Sequence, residues 1–378
     1  MTVPAAAGRV PVGAAPPTPG RPGGPSPAQV VCVGEAMAVL TPAHGGPVRD
    51  APALASSVGG SELNVALSLA RLGVPTAWLS RLGADGFGDR VLDAARAHGV
   101  EVGAVERDAH RPTGLYVKET GTAPDGSPSS RMHYYRAGSA ASAMSAAWLA
   151  GPEVARQVEG AEVVHVSGIT AALSASAAEA VGALAAQVAR TPGTRLTVDL
   201  NFRPALWRGR STEALRTLLA GADEVLLGAD EALEALGTDD PRRLAALLPG
   251  ARRVVVKEAD HGVTVVEDGE VLARVPGLRA HVVEPVGAGD AFAAGYLAGT
   301  CRGLDVVRSV RVGHLCAALV LGTRDDRPPG LPPWEELVAL ASGDERDWAG
   351  THVRGDVVRT GSPAGGVVAG SRSAGASR

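Results

Sequence analysis

The chain has 378 residues, 36 basic against 40 acidic side chains for a net charge of −4, and 45% hydrophobic residues, which suits a globular protein of two or three domains or one large α/β body with a sizeable core. The slightly acidic balance argues against a nucleic-acid partner, which leaves a clustered basic excess. Three cysteines (Cys32, Cys301, Cys316) without C-x-x-C spacing fit a reducing cytoplasm, no apolar run reaches the ~18 residues of a membrane helix, and prolines break up any secretion-signal segment after Arg9.

Residues 1–28, rich in Pro, Gly and Ala and without a period, predict a disordered extension. The folded body is expected over 29–345, and the Gly-, Ser-, Ala- and Arg-rich stretch 346–378 reads as a second disordered tail. Within the body, β-branched runs predict strands at 30–34, 77–81, 163–167, 196–200, 224–227 and 253–257. Amphipathic stretches predict helices at 61–72, 87–98, 175–189, 213–220, 241–248, 288–302 and 305–321. This alternation implies an α/β fold with a mostly parallel sheet covered by helices on both faces, and ligands beyond the carboxyl ends of its strands. Segments 36–58 and 113–136 interrupt the alternation. They read as short strands of a small lid, the second as a hairpin turning through Pro124-Asp125-Gly126. Such a lid excludes water from a site.

Five segments carry chemistry. In Val286-Gly287-Ala288-Gly289-Asp290, Pro285 closes a predicted strand, two glycines allow a tight turn with bare N–H groups, and a helix begins. A helix start of this kind binds phosphate oxygens. Asp290, expected to stay ionised in the first turn, can take a proton from an attacking hydroxyl. An ordinary glycine helix start capped by Asp fits the same spacing. In Gly59-Gly60-Ser61-Glu62-Leu63-Asn64, Ser61 can cap the following helix, and the backbone and Asn64 suit polyol hydroxyls; an ordinary capped helix fits equally. In Met132-His133-Tyr134-Tyr135-Arg136, Tyr134 and Arg136 share a strand face and Tyr135 points away. An Arg beside Tyr suits a ligand carboxylate, and a solvated edge strand with cross-strand aromatic pairs fits too. In Asp199-Leu200-Asn201-Phe202-Arg203, at a strand's carboxyl end, the three polar residues alternate along one side and Arg203 offers a second cation. A strand-end loop with satisfied polar groups is the plainer alternative. Lys257, after the strand at 253–256, is one of two lysines in the chain, the other being Lys118. No paired-histidine metal motif, P-loop, or G-x-G-x-x-G after the first strand occurs.

Together these segments resemble the PfkB, or ribokinase-like, carbohydrate kinases over about residues 30–340. The stretch 59–73 resembles the family's N-terminal signature and 286–295 its C-terminal one. The sequence is most similar to the 2-keto-3-deoxygluconate kinases of that family. Three stretches carry this: Tyr134-Tyr135-Arg136 followed by Gly138-Ser139, Arg111-Pro112-Thr113-Gly114-Leu115-Tyr116, and Asp199 to Arg203 with Leu206-Trp207. The resemblance implies a three-layer α/β/α sandwich with a β-sheet lid, and ATP and Mg2+ as cofactors. It places Asp290 as catalytic base, with Gly287, Ala288 and Gly289 as anion hole. It places Gly59, Gly60, Asn64, Tyr116, Tyr134, Arg136 and Arg203 on the sugar. Asn201, Lys257, Gly262, Gly287, Gly289 and His314 fall on the nucleotide side, and Glu231 reaches magnesium through water. A sugar acid needs cations for its carboxylate, and Arg136 and Arg203 supply two. Other sugars (the galactonate epimer, fructose, ribose) and a catalytically silent sugar-binding relative remain as alternatives. The resemblance also implies a homo-oligomer paired through the lid, and the charge balance and lack of long apolar runs predict no nucleic acid or membrane partner. The sequence departs from the family pattern at Gly228, where Asn is expected before Glu231, at Ala259, at Glu284-Pro285 in place of Asp-Thr, and at His314 in place of Asn.

Overall fold

The computed structural model describes residues 28–122, 128–323 and 330–360, and the backbone of 367–369. The expected extension, except Ala28, the turn Pro124-Asp125-Gly126 and most of 361–378 lie outside the described residues. The central sheet has eight strands. From edge to edge they are Glu270–Val275, Val263–Glu267, Arg253–Lys257, Glu224–Gly228, Arg195–Asp199, Val163–Ser167, Val30–Val33 and Thr76–Leu79. The last six run parallel; Val263–Glu267 returns antiparallel to Arg253–Lys257, and Glu270–Val275 pairs antiparallel to it in turn. Valine-rich runs such as Val30–Val33 and Val163–Ser167 are buried along their whole length, as a sheet covered on both faces requires.

Alternation along each strand divides the core in two. Val30 and Cys32 pack with the helices Ser61–Arg71, Ala288–Cys301 and Val306–Leu321. Val31 and Val33 pack on the other face with Ala175–Val188 and Glu213–Ala220. The predicted strands and helices all appear, with ends shifted by a residue or so, and the three-layer α/β/α architecture holds. Helices Ala288–Cys301 and Val306–Leu321 meet closely because glycines line their contact: a Cβ on Gly295 would lie 2.8 Å from the Val312 carbonyl oxygen.

The lid is a four-stranded sheet in the order Leu54–Gly59, Met37–Pro42, Leu115–Thr122, Pro128–Tyr135. The last two form the expected hairpin, in which Tyr116 faces Tyr134 and Lys118 faces Met132. Met37, Val39, Tyr116 and Met132 make a small apolar cluster beneath it.

The C-terminal stretch corrects the expectation of a disordered tail from 346. A helix forms over Glu345–Ala349, and strands His352–Arg354, Val357–Arg359 and Val367–Ala369 join Arg279–Ala280 in a further sheet. Trp348, Val353 and Val358 enter the main core. Overall composition hid these few apolar side chains among Gly, Ser and Arg.

Candidate active site

A cleft of about 810 Å³ lies between the lid and the carboxyl ends of the parallel strands, where the topology predicts a ligand. The strand ends bring Asp199, Gly228 and Lys257 to it. The helix Ser61–Arg71 contributes Ser61, Glu62 and Asn64. The lid contributes Tyr116, Tyr134 and Arg136, and the turn 285–290 closes the far wall.

Asp290 is the centre of this arrangement. Gly287, at φ 86, caps the helix Ala288–Cys301, so a glycine is required there. No strand leads directly into the turn, contrary to expectation: Arg279–Ala280 ends earlier and a loop follows. Asp290 Oδ1 accepts from Ser61 Oγ at 2.8 Å and Oδ2 from Asn64 Nδ2 at 2.9 Å. Ser61 Oγ in turn accepts from Asn201 Nδ2 at 2.9 Å. Ser61 is therefore a positioning group and not the expected cap, which is Gly60. A Cβ on Gly60 would lie 2.3 Å from the Glu35 carbonyl oxygen, at φ 150. Burial raises the Asp290 carboxyl to about 7, against the Asn64 and Ser61 hydrogen bonds that favour its charge; Asp199 and Glu62 push the same way as burial. The expectation of a fully ionised helix-start carboxylate is corrected accordingly: poor solvation outweighs the hydrogen bonds.

Every cation of the site has a carboxylate partner. Lys257 Nζ lies 3.2 Å from Asp199 Oδ2 and 3.6 Å from the position a Cβ on Gly289 would take. Burial works against its charge, but Asp199 and Glu231 prevail and its pKa is raised. Arg203 Nη1 donates to Glu231 Oε1 at 2.5 Å and to the Phe202 carbonyl at 3.0 Å, leaving Nε and Nη2 to a ligand. Arg136 donates Nε and Nη2 to Glu35 Oε2 and keeps Nη1. Its guanidinium lies 5.6 Å from the centre of the Tyr134 ring. Glu35, buried at the end of the first strand, also accepts from Ser139 Oγ at 2.5 Å.

The buried side-chain oxygens of Asn64 and Asn201 have no protein donor. Both residues line the cleft, and both oxygens suit the hydroxyl donors of a polyol. Asn201 holds φ 37, so the expected alternation of Asp199, Asn201 and Arg203 is broken at the strand end, yet all three still reach the cleft. Gly60, Ala288, Gly289, Gly262 and His314 also line it. Burial lowers His314 to about 4, so its imidazole is neutral. Gly59 does not line the cleft: it ends the lid strand Leu54–Gly59, opposite Met37. Tyr135 is 65% exposed and turned away, as strand alternation predicts. Among the described residues no three carboxylate, imidazole or thiol side chains converge on a metal position.

Sequence reasoning missed Glu35 and Glu62, and marked Glu284 only as a departure from the family pattern. Glu62 is buried, with Oε1 accepting from Ser167 N, Ser167 Oγ and Thr170 Oγ1. Burial raises its pKa despite those donors. Its signal was adjacency to Gly59-Gly60; that of Glu35 was its place just past the first strand.

Residues 27–332 match the pfkB family of carbohydrate kinases. A 2-dehydro-3-deoxygluconokinase of Thermoproteus tenax is 32% identical over 320 residues, 82% of this chain and 93% of the relative. A 2-dehydro-3-deoxygalactonokinase of Haloferax volcanii is 34% identical over 324 residues, 84% of this chain and 98% of the relative. The crystal structure of a PfkB protein from Polaromonas sp. JS666 superposes with a TM-score of 0.70 at 33% identity, covering 82% of this chain and 99% of that one.

Proposed function

This chain belongs to the pfkB family of carbohydrate kinases, and we propose that its reaction is transfer of the γ-phosphate of ATP to the terminal C6 hydroxyl of 2-keto-3-deoxygluconate. The observation that carries this reading is the Asp290 carboxyl, lifted to about 7 and fixed by Ser61 and Asn64 beside a glycine turn. A base poised near neutrality accepts a hydroxyl proton as the bond to phosphorus forms. The N–H groups of residues 287–290 face the migrating charge, and in a loose transition state such positioning supplies most of the catalysis.

The remaining donors of Arg136 and Arg203 fix the acid end of the sugar, which orders its hydroxyl end. The Asn64 oxygen accepts from its hydroxyls, and so does that of Asn201, which the family resemblance puts on the nucleotide side but which hydrogen-bonds Ser61 beside Asp290, with Tyr116 and Tyr134 above. Lys257, oriented by Asp199, offers its charge toward the phosphates beside Gly289. Gly262 and His314 line the nucleotide side. Among the described residues no three side chains converge on a metal position, so Mg2+ would be held directly by the phosphates of ATP and water, with Asp230 and Glu231 of the cleft reaching it through water. Mg2+, when bound, neutralises phosphate charge. The closed lid excludes water and limits ATP hydrolysis.

The 34% identity to the Haloferax volcanii enzyme favours the galactonate epimer as second reading. The lid sheet leaves its outer strands, Leu54–Gly59 and Pro128–Tyr135, without a further partner strand among the described residues, which supports a homo-oligomer paired through the lids. The test of the substrate is ATP-dependent turnover of 2-keto-3-deoxygluconate, its galactonate epimer, gluconate, fructose and ribose, with Arg203→Ala alongside. The proposal expects the keto-deoxy acids to lead, and the variant to raise their KM while leaving that for neutral sugars unchanged. Preference for fructose or ribose would contradict the acid assignment.

A further inference from the structure

Both lysines of the chain lie against the turn that carries Asp290. Lys257 approaches it from the strand ends. Lys118 approaches from the lid, its Nζ 3.3 Å from Glu284 Oε2, with both side chains almost wholly buried. Ser130, on the facing lid strand, donates its hydroxyl to the same oxygen. The other oxygen, Oε1, accepts from the Val286 N–H at 3.3 Å, at the entry to the glycine turn. One buried carboxylate thus grips the lid with one oxygen and the turn with the other.

The register gives this contact its meaning. Tyr116 pairs with Tyr134, Lys118 with Met132, and Thr120 with Ser130. Directly opposed residues share a face, as do residues two apart on one strand. Lys118 and Ser130 therefore stand on the same lid face as Tyr116, Tyr134 and Met132, which line the cleft; Lys118 lies two residues beyond Tyr116 and Ser130 two beyond Met132, about 7 Å in each case at ~3.4 Å per residue. The lid cannot seat its aromatic pair over the cleft without bringing Lys118 and Ser130 to Glu284. Desolvation of a buried pair offsets much of its attraction, so its net contribution is small, which is what a contact that must form and release in each cycle requires.

We propose that Lys118, Ser130 and Glu284 form a latch that couples seating of the lid to the shape of the 286–290 turn, so that the turn reaches its competent form when the lid is down. These are positioning residues. The inference rests on the kinase reading above, and deepens it by stating how water is kept from the phosphate before sugar is in place.

The test compares the full chain with Lys118→Met, Glu284→Gln and the double variant, in two readouts. In hydrogen–deuterium exchange of the free protein, each variant is expected to exchange faster over residues 115–121 and over 286–290 together. Faster exchange in the lid alone would overturn the coupling. In turnover, kcat is expected to fall between about tenfold and a hundredfold, the scale of a slightly misplaced reacting group. The sugar phosphate formed per ATP consumed is expected to drop below one, and the double variant to be no worse than the poorer single one. Additive losses, or an unchanged ratio accompanied only by a lower Tm, would overturn the latch. If the unaltered chain transfers no phosphate from ATP to a sugar, the kinase reading fails, and the exchange result still decides the latch.

Discussion

At the scale of the residue, Asp290 has two separable consequences. In the proposed role of base, a carboxyl with a pKa of about 7 must lose its proton to work, so kcat/KM is expected to rise with pH through about 7 and then level. Asp290→Asn should lower kcat by about 10²–10⁴, the usual worth of general-base catalysis. The stability consequence has the opposite sense. The folded protein holds this proton between the ordinary 3.8 and about 7, where the unfolded chain releases it. Its contribution to stability is full below 3.8 and is lost as pH rises through 7. Asp290→Asn carries no such dependence, so its Tm relative to the unaltered chain should be higher at pH 8 than at pH 4, a comparison two thermal melts make. Asp290 was legible in the sequence because a glycine turn opening a helix marks its own chemistry. Its pKa was not: the packing that buries it and the Glu62 and Asp199 charges that raise it further come from distant parts of the chain.

At the scale of the element, the two glycine turns predict different outcomes. Gly60→Ala forces a Cβ to 2.3 Å from the Glu35 carbonyl at a positive φ, so loss of thermal stability should accompany loss of sugar affinity. Gly289→Ala meets only Lys257 Nζ, at 3.6 Å. It should fold with an almost unchanged Tm and still lose kcat/KM, because its methyl group would stand in the proposed path of the phosphate. Strands and helices were readable because valine runs and apolar periodicity are local. The partners of Arg136 and Arg203 were not, because Glu35 and Glu231 reach them only through the folded sheet. Glu284 stood out in the sequence only as a departure from the family pattern; the hairpin register that brings Lys118 to it is long-range information.

At the scale of the whole molecule, the C-terminal segment is part of the body. Trp348 is 2% exposed, donates Nε1–H to the Pro276 carbonyl at 2.9 Å and lies under the Arg311 guanidinium. Trp348→Ala should cost about 3–5 kcal/mol, the usual range for a buried tryptophan, readable as a lowered denaturation midpoint. A freely exposed tail residue would leave the midpoint unchanged. The ring also meets His314, tilted at 46° with 6.2 Å between ring centres, so the segment buttresses the cleft wall to which His314 belongs. The central claim joins all three scales: a carboxyl poised near neutrality, a glycine turn and a lid acting together on a sugar acid. Its most direct test is nuclear magnetic resonance of the products formed from ATP and 2-keto-3-deoxygluconate, by the unaltered chain and by Asp290→Asn. The account predicts one C6 phosphate ester per ADP, and almost none from the variant. ADP without the ester, a phosphate at another position, or full activity in Asp290→Asn would contradict it.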